Sequence, residues 1–321
     1  MSSDCRKKGR RFLYIFIFLL AVQLLLMCFF SGELKSRELE LDPAMVVIEN
    51  HPLSRPQAGL NEADVVYEFL VEGGVTRFLA GYFDGYPEKA GPIRSLRPYM
   101  IDIALQHGGL IFHAGASQKA HRIASQDDVY SLDEITNPWY YWRFEGRSMP
   151  HNLYTDRESL LKASEAVDIY AGSDSSNPAR KCSEKNDLAE GDSAEIISLS
   201  YWSNEIEYIY DQEIDRYRRF LQGDAHILEG EITVSPEEII IISVPHEIID
   251  DEGRLRIDFS GEGSALLIRS GRAFNARWKG SSGDVGEGID ILTEEGEEID
   301  YGCGLTWVQV VPNTADIVLE E

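Results

Sequence analysis

Seven short runs, EIEYIY, EITVS, EIIIISVP, RLRIDFS, ALLIRS, RAFNARW and TWVQVVP, crowd residues 194–321. They are rich in β-branched and aromatic residues, which fit the pleated, half-buried surface of a sheet. Turn pairs such as Glu252-Gly253 and Ser270-Gly271 separate several of them. Runs this short and this dense cannot make amphipathic helices, so the C-terminal part is predicted as a mainly antiparallel all-β domain, a sandwich or a barrel.

Residues 42–170 read differently. MVVIEN (Met45–Asn50) is a buried-strand pattern, and VVYEFLVEGGVTRFLAGYF is two β-rich runs meeting at Gly73-Gly74. A two-residue hairpin there puts Glu68, Leu70, Glu72, Val75, Arg77 and Leu79 on one face, with Arg77 between two carboxylates. Pro98 suits the first turn of a helix that ends at Gly108-Gly109. LIFHAGA is a strand, and Ser117 is placed to cap the following helix. Thr155 and Glu158 have capping-box spacing before a further helix. Strand, helix, strand, helix predicts an α/β or α+β N-terminal domain. Residues 171–193 lose aromatic residues and periodicity and read as a linker.

Ahead of these, Phe12 to Phe30 is a nineteen-residue apolar run with Gln23 as its only strongly polar member. Its length as a helix matches a bilayer core. Arg6, Lys7, Lys8, Arg10 and Arg11 precede it, and such charge stays on the cytoplasmic side. Residues 1–11 are thus a cytoplasmic basic segment, 12–30 a transmembrane signal anchor and 31–41 a tether, with everything after residue 30 extracytoplasmic. Two other fates compete. Bulky residues near Phe30 fit a cleaved signal poorly. Met27 stands where lipoprotein processing before Cys28 wants a small side chain.

The chain is acidic, with a net charge of −25. Residues 171–321, with 33 acidic and 12 basic side chains, carry −21 of it. That disfavours a nucleic-acid partner, which needs clustered Lys and Arg. Four cysteines without CxxC spacing argue against a zinc knuckle or a dense disulfide framework; pairing of Cys182 with Cys303 stays open. No phosphate loop, GxSxG, HExxH or dinucleotide fingerprint occurs, so no cofactor is implied. The spacing of His51, His113 and His151 gives a metal site no support.

What the sequence does concentrate is polar residues at turn ends between 50 and 155. Arg94 and Arg97 flank a helix start, where guanidinium charge adds to unpaired N–H donors and favours phosphate, sulfate or carboxylate. The competing reading pairs both arginines with Glu68, Glu72 or Asp102. His151 sits with Asn152 on a loop beside aromatic residues, whereas His113 lies within an apolar strand and suits a core position. The ligand-binding candidates are Arg94, Arg97, Arg77, His151 and Asn152; the catalytic candidates are His151, His113, Glu68 and Glu72. The WYYWRF run (Trp139–Phe144) reads as packed strand faces rather than a stacking platform.

Taken in order, ENHPLSRPQAGLNEADVVYEFLVEGGVTRFLAGY, AGPIRSLRPYMIDIA, FHAGAS, MPHNLYT, EYIYDQEIDRYRRFLQGDAH, DEGRLRIDFSGEGSALLIRSGRAFNARWKG and GLTWVQVVP resemble the YerB-like lipoproteins of bacteria, from about Ala44 to Pro312. The resemblance implies a two-domain exported protein of unknown function and supplies no catalytic residues. Two expectations follow. The first is a membrane-anchored extracytoplasmic binding or scaffold protein holding an anionic cell-envelope ligand, or an envelope protein. The second is an envelope hydrolase or transferase acting on a phosphate-containing or glycan substrate, which needs a histidine and a carboxylate in hydrogen-bond reach. A purely structural exported domain is the weakest of the readings.

Overall fold

The computed structural model describes residues 42–127, 129–167, 191–280, 288–299 and 301–321. The predicted anchor and nearly all of the predicted linker lie outside these residues. Among the described residues no helix is long and apolar enough to cross a membrane.

The first half contributes strands β1 (Ala44–Glu49), β2 (Val65–Leu70), β3 (Thr76–Tyr82), β4 (Leu110–His113) and β5 (Ser131–Asp133). Helices α1 (Pro98–Gln106) and α2 (Gln118–Ala124) flank β4, and α3 (Arg157–Val167) closes this part. The second half continues with β6 (Ile196–Tyr201), β7 (Asn204–Asp211), β8 (Arg216–Leu221), β9 (Glu238–Val244), β10 (His246–Ile248) and β11 (Leu255–Ile257). It ends with β12 (Glu262–Arg269), β13 (Arg272–Gly280), β14 (Ile289–Thr293), β15 (Thr306–Pro312) and β16 (Asp316–Glu320). The molecule is mostly β.

One large mixed sheet runs β14-β13-β12-β9-β15-β2-β3-β1-β4-β5. Its centre joins the two halves of the chain: β2 lies parallel to β15, with Val65 opposite Thr306 and Phe69 opposite Val310. The α/β reading holds for β1, β4 and β5, which are parallel, but the sheet they belong to continues through antiparallel pairs into the C-terminal half. A second, antiparallel sheet contains β8, β7, β6 and β16.

Both faces of the large sheet are covered. One packs against the second sheet through Val66, Phe78 and Trp307 with Leu199, Tyr208 and Tyr217. The other packs under the helices through Val47, Phe69, Leu79 and Val308 with Tyr99, Met100 and Ile103. Strands β1 and β15 are accordingly buried at every position, as expected of strands with no solvent face. By contrast, β6 alternates: Ile197, Leu199 and Tyr201 point inward while Ser200 is exposed.

Local punctuation predicts the helices well. Pro98 opens α1 with Arg97 at its N-cap, and the Ser117 hydroxyl accepts from Ala120 N to cap α2. For α3 the cap is Asp156, whose Oδ1 accepts from Ser159 N, while Thr155 instead donates to Tyr140 O. The β2–β3 register also differs from the two-residue turn. Glu72, Gly73 and Gly74 form a single tight turn with Gly73 and Gly74 at φ of 78° and 76°, and Val71 N donates to Val75 O. Phe69 therefore faces Arg77 and Glu68 faces Phe78. Shifting register by one residue sends Arg77 and Glu68 to opposite faces of the sheet. Cys303 is disulfide-bonded; its partner lies outside the described residues.

Candidate functional site

In sheets with parallel strands, ligands sit outside the carboxyl ends, where loops converge. At that end of β1 stands Glu49, and the antiparallel β3 brings Arg77 directly opposite it. The segment after β3 threads Arg94 between β1 and β4. Its backbone N donates to Val47 O at 3.0 Å, and its carbonyl accepts from Ala114 N at 3.0 Å. His151 arrives on a loop that Arg147 ties to residues 54–56, donating to Ser54 O at 2.7 Å and Pro56 O at 2.6 Å. Non-local hydrogen bonds, backbone at Arg94 and side chain at Arg147, thus gather four side chains that lie far apart in sequence.

The buried Glu49 carboxylate is shared. His151 Nδ1 donates to Oε2 at 2.8 Å. Arg94 Nε lies 2.9 Å from Oε1 but outside hydrogen-bond alignment, so that pair is Coulombic rather than directional. The His51 ring stacks on His151, centroids 5.0 Å apart. Arg77 is only 6% exposed. Its Nη1 donates to Ser95 O at 2.5 Å, its Nε has no acceptor, and no carboxylate of the described residues comes within ion-pair distance. Burial chiefly, with Arg94 adding to it against the pull of Tyr99 and Glu49, brings the Arg77 pKa down to about 10. Two guanidinium groups and two imidazoles therefore surround one carboxylate.

Other predicted residues fall elsewhere. Arg97 joins a different group: a bidentate pair with Glu72, in which Nε donates to Oε2 at 3.1 Å and Nη2 contacts Oε1. The predicted convergence of Arg94 and Arg97 is thus not formed, because each arginine has its own carboxylate. Asn152 holds the loop behind His151, donating to Phe144 O and Arg147 O and accepting from Arg143.

Glu68 is sealed between the sheets. It accepts from Arg219 Nη2 at 2.7 Å, Trp307 Nε1 at 3.0 Å and Thr76 Oγ1 at 2.7 Å. His113 is nearly fully buried: Nδ1 donates to Gly115 O, so the neutral ring accepts at Nε2 from Ser131 Oγ, and burial lowers its pKa. Neither Glu68 nor His113 reaches a substrate, and Glu72 is committed to Arg97. Within WYYWRF, Trp142 stacks on Tyr154 and Tyr140 is buried. Glu49 was missed by the sequence reading. It ends an otherwise apolar strand, and its partners, His151 and Arg94, come from segments remote in sequence.

The fold is thus a mixed sheet that joins the two halves of the chain and carries a polar cluster at its strand ends. Residues 30–170 match the N-terminal domain, and residues 197–308 the C-terminal domain, of a protein of unknown function (DUF3048). The chain is 31% identical over 284 residues to the Bacillus subtilis protein described as "Putative lipoprotein YerB", covering 85% of this chain and 82% of that one. The crystal structure of YerB protein from Bacillus subtilis superimposes with a TM-score of 0.73 at 29% identity, covering 88% of this chain and 96% of that one. The chain belongs to the YerB-like, DUF3048 family.

Proposed function

We propose that the protein is a membrane-associated extracytoplasmic binding protein whose strand-end cluster holds an anionic group of a cell-envelope ligand. The location rests on the relative's description as a lipoprotein. The binding reading is carried by Arg77, a buried guanidinium whose Nε has no acceptor and which lies outside ion-pair distance of every described carboxylate. A buried ion without a partner costs several kcal/mol, and a carboxylate or phosphate seated beside Arg94 and His151 would offset that cost. Arg94 is partly exposed and forms the accessible edge. Titrating the full chain with inorganic phosphate and with acetate by calorimetry tests this. Binding that weakens at least about tenfold in Arg94→Ala, the loss of one charge-assisted hydrogen bond, supports it. Absence of binding, or an unchanged Arg94→Ala, overturns it.

The 2.8 Å bond from His151 to Glu49 favours a second reading as an envelope hydrolase or transferase on a phosphate-containing or glycan substrate. Glu49 would fix the tautomer of His151, leaving Nε2 to move a proton, and Arg94 would stabilise developing charge. Turnover of bis(p-nitrophenyl) phosphate that falls at least about a hundredfold in His151→Gln would select this reading over pure binding.

A further inference from the structure

Away from the strand ends, a groove of about 330 Å³ runs between the first turn of α1, the helix α2 and the β10–β11 hairpin. Five cationic side chains line it: Arg97, Lys119, Arg122, Arg254 and Arg256. In a chain of net charge −25, such a concentration does not follow from composition. Three of the five are committed: Arg97 to Glu72, Arg254 to Asp250 and Glu252, and Arg256 to Glu247. Lys119 and Arg122 have no ion-pair partner among the described residues, although both line the same wall. Tyr99, Leu255 and Ile257, each at most 6% exposed, form its apolar lining.

We propose that this groove is a second binding site, separate from the strand-end cluster, for a phosphate ester of a sugar or polyol. The phosphate meets Lys119 and Arg122, which no described carboxylate holds in an ion pair; Arg122 Nε donates to Gln118 O at 3.4 Å, leaving its two terminal nitrogens for the ligand. The apolar face of the ring or chain lies on Tyr99, Leu255 and Ile257. The volume falls at the lower end of small-molecule sites and suits a monosaccharide phosphate. Fixed pairs at Arg97 and Arg254 keep the rim in place without consuming the two free cations. Asp102, the carboxyl facing the groove from α1, and Asp250 on the hairpin loop are the acidic members; both oppose an anion, but Asp250 is paired with Arg254 and the five cations outnumber the two carboxylates.

Calorimetric titration of the full chain with glucose 1-phosphate, and with glucose, tests the site. The expected result is binding of the phosphate ester alone, weakened at least about tenfold in Lys119→Ala/Arg122→Ala and within about twofold of wild type in Lys162→Ala, an exposed lysine outside both clusters. Both substituted side chains are exposed on α2, so the variant should keep the wild-type circular dichroism. Equal binding by the double variant, equal binding of glucose, or no binding at all overturns the proposal. Loss in Arg94→Ala with retention in the double variant also overturns it, and assigns the phosphate to the strand-end cluster instead.

Discussion

Arg219 is the costliest single side chain in the fold. It is fully buried between the two sheets, with Nη2 on Glu68 at 2.7 Å, Nη1 on His226 Nδ1 at 2.7 Å and Nε on Tyr208 Oη at 3.3 Å. Its guanidinium lies 4.9 Å from the Trp307 ring centre. Burial alone would lower its pKa; the Glu68 carboxylate chiefly outweighs that and raises it. His226 is neutral, because it accepts from Arg219 and donates to Gln57. With a partner at each guanidinium nitrogen, the pair tolerates burial, but removing one partner strands the other. Arg219→Met should cost about 3–5 kcal/mol in urea unfolding. Arg218→Met next to it, which breaks only the exposed pair with Asp211, should cost less than about 1 kcal/mol. Similar losses in both variants would mean that the buried network contributes no more than a surface ion pair. None of this is legible along the chain, since Glu68 and Arg219 lie 151 positions apart and nothing local to either names the other.

At the scale of elements, what was readable was what is local. Pro98, Gly108 and Ser117 mark helix ends through constraints that act within one turn, and the structure places α1 between the first two and starts α2 directly after Ser117. The β2–β3 turn shows the limit. Both two- and three-residue loops accept the pair Gly73-Gly74, and a one-residue difference moves Arg77 to the other face. Helix α1 also carries a pH dependence that burial creates. Asp102 is pushed up to about 6 by burial, against an opposing pull from Lys119. Folded protein thus holds this proton more tightly than the unfolded chain does. Its contribution to stability declines as pH rises from about 4 through 6 and is flat above that. Asp102→Asn removes the titration. Melting temperatures of wild type and Asp102→Asn should coincide near pH 4, with the variant melting higher at pH 7. Parallel curves over that range would place the Asp102 pKa at its ordinary value. The charged groups that line the groove with it are Arg97, Lys119, Arg122, Arg254, Arg256 and Asp250, so the ratio of wild-type to Asp102→Asn affinity for a phosphate ester should fall as pH rises through about 6, the ligand's own ionisation cancelling in the comparison.

For the whole molecule, the two segments matched by the family descriptions end at 170 and resume at 197, but the large sheet does not divide there. Strand β15 lies between β2 and β9, bonded in parallel to both. Its Trp307, Val308, Val310 and Val311 are fully buried, two on each face of the sheet. Fully burying one such side chain is worth about 1.5–3 kcal/mol, so these four together rival the whole net stability of a domain, about 5–15 kcal/mol. A fragment of residues 42–170 loses all four, bares the edge of β2, and uncovers the face that Tyr208 and Tyr217 close. It should therefore show no cooperative thermal transition alone, and an exposed apolar strand edge should make it aggregate. Mixing it with residues 191–321 should restore both the transition and the amide dispersion of a folded protein, because every pairing the sheet needs is then present. The discriminating measurement is the thermal transition of the 42–170 fragment by itself. A sharp melt there would mean that β1 to β5 and their helices hold a sufficient core, and that the β2–β15 ladder joins two independently stable bodies. A melt seen only in the mixture makes the ladder the contact on which the fold of both halves, and the position of Arg77 beside Glu49, depends.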